Sequence, residues 1–130
     1  MPSAPVTATS SFRWPQRRRL LRRREFRAAY EQGLRRSSRH FTVFGLASAQ
    51  PGVRFGITAS RKLGPAVVRN RLRRRTRELL RRLPAGIAGI GCAVVVNPRP
   101  SVATAGFAEL ARELEMQVKA VCASLRQKTL

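Results

Sequence analysis

Acidic residues are scarce in this chain of 130 residues, which has six glutamates and no aspartate. A metal-dependent hydrolase usually gathers several carboxylates around its ions, and no paired-carboxylate arrangement can be assembled from so few. The chain also has one histidine and two cysteines, and no Ser/His/Asp or Cys/His arrangement can be recognised. The composition therefore argues against a protein that supplies its own catalytic residues.

The single histidine and the two cysteines are predicted to have no role at a metal or catalytic site. His40 has no aspartate anywhere in the chain and no cysteine near it in sequence, so we expect it to bind no metal. Cys92 and Cys122 both lie in apolar runs. This placement favours buried free thiols over the alternative, a disulfide, because a cytosolic chain of this size does not need one.

Long apolar runs are also missing. No segment approaches the roughly 18 to 20 apolar residues that span a bilayer, and the N-terminus lacks the apolar stretch of a secretory signal, so we expect a cytoplasmic protein with no membrane partner. The N-terminal residues are rich in Ser, Thr, Ala, Pro and Arg and contain no acid. They are predicted to form a disordered basic arm over residues 1–16, with an organelle transit peptide as the alternative. Residues 17–125 are predicted to form one domain and residues 126–130 a tail.

Positive charge is abundant and concentrated. The chain has 27 Lys and Arg residues and a formal net charge of +21, and residues 13–82 alone hold 22 basic and 3 acidic residues, a net +19. A compact fold with this much uncompensated charge repels itself unless a polyanion lies against it, which indicates a nucleic-acid partner. Arginine outnumbers lysine by 24 to 3. A GC-rich genome and the value of a planar guanidinium for binding phosphate are equally good explanations of that ratio.

Periodicity predicts alternating helices and strands. Helices are expected where apolar residues recur at helical spacing, and strands where branched and aromatic residues alternate or run together. In chain order the predicted elements are a helix over 20–32 ended by Gly33, strands over 41–47 and 53–59, a helix over 65–83, a strand over 91–97 and a helix over 107–125. This order predicts a single α+β domain in which helices pack against a mixed sheet.

The helix predicted over 65–83 has two different faces. Its apolar stripe consists of Val68, Leu72, Thr76, Leu79 and Leu83. The opposite side carries Asn70, Arg74, Arg77 and Arg81, bordered by Arg69 and Arg73, while Arg71, Arg75 and Arg82 lie near the stripe. A solvated surface helix normally balances such charge with glutamates at i±4, and only Glu78 does so here, which favours RNA binding over a plain solvated surface. Arg61 and Lys62, just before the helix, are predicted to bind a phosphate together with its N-terminal amides.

A longer pattern with fixed gaps contains this helix. It runs from Phe55-Gly56 through Ser60-Arg61-Lys62, Gly64, Ala66-Val67, Arg69-Asn70-Arg71 and Arg73-Arg74 to Arg77-Glu78. The pattern resembles the signature of the bacterial ribonuclease P protein family. The resemblance extends over residues 17–125, because Glu25-Phe26, Tyr30, Gly33 and Phe44 also fall where that family has an acid, aromatics, a glycine and an aromatic.

The resemblance implies a particular fold. This fold is an α-β-β-β-α-β-α sandwich with a mixed four-stranded sheet, one strand more than periodicity alone indicates. It also implies a left-handed βαβ crossover through the Arg-rich helix, an exception to the usual right-handed rule.

The resemblance also implies a function without catalytic residues in the protein. The family's protein is a subunit of the endoribonuclease that removes the 5′ leader of precursor tRNA, and its RNA subunit carries out the Mg²⁺-assisted hydrolysis. The implied partners are the catalytic RNA and precursor tRNA, with no obligate protein partner. The residues that correspond to RNA-subunit binding are Arg61, Lys62, Arg69, Asn70, Arg71, Arg73, Arg74 and Arg77. Those that correspond to binding of the 5′ leader are Phe26, Tyr30 and Phe44.

Two departures and one alternative qualify this assignment. Pro65 stands where the family usually has a polar residue, and Asn97-Pro98-Arg99-Pro100 differs from the usual end of the last strand, which puts the role of Arg99 in doubt. The three aromatic residues could instead pack in the core.

Other functions remain open. A ribosomal or general RNA-chaperone protein would share the charge but would not need the Arg-Asn-Arg register after Ser-Arg-Lys. A DNA-binding architectural protein fits less well, because no helix-turn-helix pair precedes the Arg-rich helix. A membrane-active helix fits least, because the apolar face lacks aromatic anchors.

Overall fold

The computed structural model describes residues 22–49, 52–84, 86–87 and 89–129. The elements in chain order are α1 (Arg23–Gln32), β1 (Leu34–Ser37), β2 (Phe41–Ala47), β3 (Val53–Ile57), α2 (Ala66–Arg81), β4 (Cys92–Pro98) and α3 (Phe107–Thr129). Two short 3-10 helices, Arg61–Leu63 and Pro100–Ala103, precede α2 and α3. No helix in these described ranges is long and apolar enough to cross a membrane. The predicted arm, residues 1–16, lies outside the described residues.

The strands form one mixed sheet in the order β1-β2-β4-β3. β2 pairs antiparallel with both β1 and β4, whereas β3 pairs parallel with β4. Two parallel strands that follow each other in the chain need a crossover connection, and here α2 provides it. The mixed four-stranded sheet with three helices is therefore confirmed, while the left hand of the crossover stays a prediction.

Strand β1 is the element that periodicity did not indicate. Its four residues, Leu34–Ser37, include one apolar residue and two arginines, and three of the four are exposed. It forms because Leu34 pairs with Gly45 and the next three residues continue along β2. Charged residues on a short edge strand discourage pairing with other chains, so this composition suits its place at the edge of the sheet.

Two layers cover the sheet. On one face α2 and α3 bury the side chains of alternate strand residues, among them Phe41, Val43, Val94 and Val96. On the other face α1 covers only the middle, where Ala29 packs on small residues of β4. β4 is buried on both faces, as its unbroken apolar run predicted.

The two cysteines lie in the larger core as predicted. Cys92 and Cys122 are buried free thiols with their Sγ atoms 3.8 Å apart. The side-chain contact with Cys122, together with burial, raises the pKa of the Cys92 thiol well above its usual range. A thiol held in its neutral form is a poor nucleophile, so Cys92 is suited to packing rather than to chemistry.

Several element ends differ from the prediction by a few residues. Pro65 is the N-cap of α2 rather than its first residue, with an extended ψ of 167°, and its carbonyl accepts hydrogen bonds from the amides of Val68 and Arg69. α3 continues to Thr129, through residues that the sequence had assigned to a tail. Arg126 and Lys128 lie in its last turn, where positive side chains favour the helix terminus.

Gly33 ends α1 as predicted, but the reason is space rather than backbone conformation. Its φ is −82°, which any residue can adopt. A Cβ atom at this position would lie 2.5 Å from the carbonyl oxygen of Ala29 and 2.6 Å from that of Gly45. Both neighbours are backbone atoms that cannot rotate away. The close approach of α1 to β2 therefore requires glycine at residue 33.

We expect Gly33→Ala to lower the free energy of unfolding by about 1 to 3 kcal/mol, because the added methyl group must push α1 away from β2. Urea denaturation monitored by circular dichroism measures the loss. Gly106→Ala is the matched control, because a Cβ there meets no atom within 4 Å, and we expect it to change stability by only about 0.5 kcal/mol. Equal effects of the two substitutions would show that Gly33 is not tightly packed.

Candidate nucleic-acid interface

The two faces predicted for α2 are present. Leu72, Thr76 and Leu79 are buried against the sheet, and the Thr76 hydroxyl donates to the Leu72 carbonyl, so this polar group is satisfied inside the core. The basic face therefore points to solvent. Of the eight residues assigned to RNA-subunit binding, Arg69 and Arg73 are half-buried and the others are exposed: Arg61, Lys62, Asn70, Arg71, Arg74 and Arg77.

Two arginines of this face are held in place by the protein. Arg69 Nε donates to the carbonyl of Gly64 at 3.2 Å, and Arg73 Nη1 donates to Oδ1 of Asn70 at 2.8 Å. A guanidinium has five N–H donors, so each retains donors for a phosphate. Because the side chains are already ordered, less conformational entropy is lost when they bind. Asn70 thus positions its neighbour Arg73.

The arginines near the apolar stripe are partly occupied by the protein. Arg75 Nη2 donates to the carbonyl of Ala105 at 2.9 Å. Arg82 lies 4.8 Å from the ring centroid of Phe107, a cation–π contact. Glu78 approaches both Arg81 and Arg82 at 3.5 Å. The contacts of Arg75 and Arg82 fasten α2 to its surroundings, whereas Glu78 pairs with arginines at the end of its own helix, including Arg81 of the predicted basic face.

A tight turn brings two more cations to the start of α2. Arg61 and Lys62 lie in the short 3-10 helix, and Gly64, with φ +128°, redirects the chain into α2. This φ lies in a region that residues with a side chain rarely adopt. Next to these cations Val67 is 73% exposed, so the surface at the start of the helix is open. The phosphate site expected there stays a prediction.

A second surface lies on the sheet face that α1 only partly covers. Phe26 and Phe44 are half-buried and pack around Ala29, Ala93 and Val95. Tyr30 is more exposed, at 37%. Its ring meets that of Phe44 edge-on, with centroids 4.7 Å apart. Its hydroxyl donates to Oδ1 of Asn97 at 3.1 Å.

The three predicted aromatic residues are therefore adjacent, and their burial differs. Phe26 and Phe44 serve partly as packing residues, which agrees in part with the core alternative. Tyr30 is the most exposed of the three. We call these three rings the aromatic cleft. Phe26 and Phe44 form its packed floor, and Tyr30 forms its accessible edge.

Polar residues around this cleft were not assigned a role from the sequence. Arg54 of β3 forms an ion pair with Glu25 of α1, which ties the helix to the sheet edge. The guanidinium of Arg35 lies 5.9 Å from the ring centroid of Phe44. Arg99, whose role was in doubt, is exposed and donates from Nη2 to Oγ1 of Thr42 at 3.3 Å. For Arg54, one indication of this position was present in the sequence: the alternation of apolar and polar residues in β3 predicted that one face of the strand is polar and open.

Comparison with known proteins agrees with this geometry. The family model described as Ribonuclease P matches residues 14–122. The ribonuclease P protein component of Acidothermus cellulolyticus is 39% identical over 105 residues, which cover 78% of this chain and 85% of that protein. The corresponding protein of Desulfovibrio desulfuricans is 51% identical over 69 residues, 52% of this chain and only 53% of that protein.

Solved structures share the fold. The ribonuclease P protein of Thermotoga maritima superimposes with a TM-score of 0.67 and 29% identity, covering 79% of this chain and 96% of that one. The Staphylococcus aureus protein gives a TM-score of 0.63 at 24% identity, covering 80% and 96% of the two chains. Together with the Arg-rich α2 and the aromatic cleft, these similarities show that the chain belongs to the bacterial ribonuclease P protein family.

Proposed function

We propose that this chain is the protein subunit of ribonuclease P and assists the removal of 5′ leaders from precursor tRNA in the cytoplasm. The observation that carries the proposal is the exposed cationic face of α2 in a chain of this family. In this proposal the basic face binds the catalytic RNA subunit, and the aromatic cleft binds the leader. The RNA subunit and its Mg²⁺ ions carry out the hydrolysis.

The basic face is suited to a folded RNA. Its guanidinium groups are planar donors that match phosphate oxygens, and Arg69 and Arg73 are ordered before binding. The residues at the start of α2 add two cations close to its N-terminus. A structured RNA presents phosphates from neighbouring strands at close spacing, and dense positive charge offsets their mutual repulsion.

The aromatic cleft is suited to unpaired nucleotides. Sequence-tolerant binding of a single strand combines stacking on aromatic rings with basic residues that follow the backbone. Tyr30 and Phe44 supply adjacent rings, and Arg35 lies beside them. The 5′ leader is a single-stranded segment of precursor tRNA that mature tRNA lacks.

Five of the six glutamates make contacts that favour a structural role. Glu25, Glu78 and Glu115 each contact a Lys or Arg side chain, and Glu109 and Glu113 approach His40. Mg²⁺ prefers an octahedral set of oxygen ligands, and in this proposal the RNA subunit supplies them, as the family resemblance implies. The protein contributes positive potential that raises affinity for substrate and ions.

We expect the combined substitution of Arg69, Arg73 and Arg77 by Ala to weaken binding of the catalytic RNA while the fold stays intact. Each lost phosphate contact should reduce the salt slope of log K by about 0.7 to 0.9 in magnitude. Filter binding at several salt concentrations measures the slope. A triple substitution of Arg36, Arg112 and Lys119, exposed cations of β1 and α3, removes the same charge and is the control. Identical slopes for the two triple variants would exclude the α2 face.

We expect Tyr30→Ala, Phe26→Ala and Phe44→Ala to weaken binding of precursor tRNA to the assembled enzyme more than binding of mature tRNA. The loss should be about 1 to 3 kcal/mol for each stacked base. Tyr30→Phe is the matched control, because it keeps the ring and removes only the hydrogen bond to Asn97. If both tRNAs weaken equally in folded variants, the aromatic residues act only in packing.

The purified protein should not cleave precursor tRNA at any Mg²⁺ concentration. The catalytic RNA alone should cleave at high salt and high Mg²⁺, and added protein should lower the Mg²⁺ requirement. Site-specific cleavage by RNA-free protein would contradict the proposed division of labour. Copurification of ribosomal RNA rather than one structured RNA of a few hundred nucleotides would instead favour a ribosomal or RNA-chaperone role.

A further inference from the structure

His40 meets two glutamates at one end of the sheet, and none of the three belongs to the residues assigned to the two surfaces described above. Glu109 and Glu113 are one turn apart on α3 and are separated from His40 by 69 and 73 residues of sequence. Nε2 of His40 lies 2.8 Å from Oε2 of Glu109 and 3.9 Å from Oε1 of Glu113. The three ligand atoms all lie within 4.8 Å of one another. The fold thus converts distant residues into a compact donor set.

Two of the three side chains are oriented by further contacts. Nδ1 of His40 lies 2.6 Å from the Ser101 hydroxyl, in the 3-10 helix before α3. Oε2 of Glu113 accepts the backbone N–H of His40 at 2.7 Å and also the Ser38 hydroxyl. These contacts occupy the atoms that face away from the cluster, so Nε2 and Oε1 are directed into it. Histidine and carboxylate ligands of protein metal sites are commonly held by such outer contacts.

Burial and charge also fit a cation site. The His40 side chain is 5% exposed and that of Glu113 15%, whereas that of Glu109 is 48% exposed, so the cluster is closed on the protein side and open toward solvent. The two carboxylate groups also provide oxygen ligands for a divalent cation.

A proton on Nε2 of His40 can be shared with only one of the two carboxylates. Nε2–H can donate to Glu109, but Glu113 Oε1 at 3.9 Å is beyond hydrogen-bond distance. A single small cation could contact all three atoms. A tetrahedral ion with bonds of about 2.1 Å separates its ligands by about 3.4 Å, and the two separations from Nε2 lie on either side of that value. Binding therefore requires the Glu109 carboxylate to move away from Nε2 and the Glu113 carboxylate to move toward it.

We propose that His40, Glu109 and Glu113 form a binding site for a divalent transition-metal ion, with Zn²⁺ as the ion, that links the start of β2 to α3. One imidazole and two carboxylates suit Zn²⁺, whereas Mg²⁺ prefers oxygen ligands alone. The open side leaves a position for water. The ion would join residue 40, just before β2, to the first turns of α3, and the Ser101 hydroxyl would hold the imidazole. This role does not rest on the proposed function, because it needs no RNA.

The test uses the purified, RNA-free full chain, because RNA itself binds divalent ions. Titration with Co²⁺ as a spectroscopic substitute should produce visible ligand-field bands without a thiolate charge-transfer band, and Zn²⁺ should abolish them by displacement. A large excess of Mg²⁺ should not displace Co²⁺. Thermal unfolding should shift to higher temperature when Zn²⁺ is added, because the ion binds the folded state.

Three variants locate the ion. Glu109→Gln removes a half-exposed ligand with little change in shape and should raise the Zn²⁺ dissociation constant at least about tenfold. Ser101→Ala, which removes the contact to Nδ1, should raise it about 10- to 100-fold. Glu115→Gln, on the same helix and paired with Lys119, is the matched control and should bind as the unchanged protein does. Circular dichroism checks that each variant is folded.

Three results would overturn the proposal. The first is the absence of Co²⁺ bands and of any Zn²⁺-dependent shift in the unchanged protein. The second is equal binding by Glu109→Gln and Glu115→Gln. The third is a thiolate charge-transfer band, which would place the ion at Cys92 and Cys122 instead.

Discussion

The burial of β4 on both faces is the constraint on which the rest of the structure depends. Residues Cys92 to Val96 are all buried. Val94 and Val96 face α2 and α3, and Ala93 and Val95 face α1. A strand with two apolar faces must be covered on both, and it must have neighbours on both edges. β2 and β3 provide those neighbours, one antiparallel and one parallel.

The parallel pairing determines where the positive charge lies. Because β3 and β4 run in the same direction, the chain between them must cross the sheet, and α2 makes this crossing against the larger core. Its apolar stripe is buried, so the arginines on the opposite side remain in water. A chain with a net charge of +21 can fold because most of its charge stays outside the core, where water screens the repulsion.

The second surface arises from incomplete coverage of the other face. Small residues at Ala29 and Gly33 let α1 lie close to β2 and β4, but its ten residues cover only part of the sheet. The ion pair between Glu25 and Arg54 holds the helix at one side. Aromatic rings therefore remain at the border between packed and accessible surface. Packing on one side keeps these rings rigid, and the other side stays accessible. A fully exposed ring would be accessible but not rigid.

Local sequence determined most of the elements and one of the two surfaces. β2, β4, α2 and α3 were predicted within a few residues, because the periodicity of their apolar residues reflects the faces that they bury. The amphipathic character of α2 follows from spacing alone, and so does the exposure of Asn70, Arg74 and Arg77. The pattern from Phe55 to Glu78 was also specific enough to predict the family.

Tertiary structure decided whatever depends on residues far apart in the chain. β1 exists because β2 offers it hydrogen bonds, since its own sequence has little strand character. The docking of Arg75 on the carbonyl of Ala105 separates this arginine from its exposed neighbours, and helical spacing could place it only near the stripe. His40 had no candidate ligand nearby in sequence, and only the packing of α3 against the sheet brings Glu109 and Glu113 to it. Spacing along a chain reports local geometry, whereas contacts across 70 or so residues depend on how the layers pack.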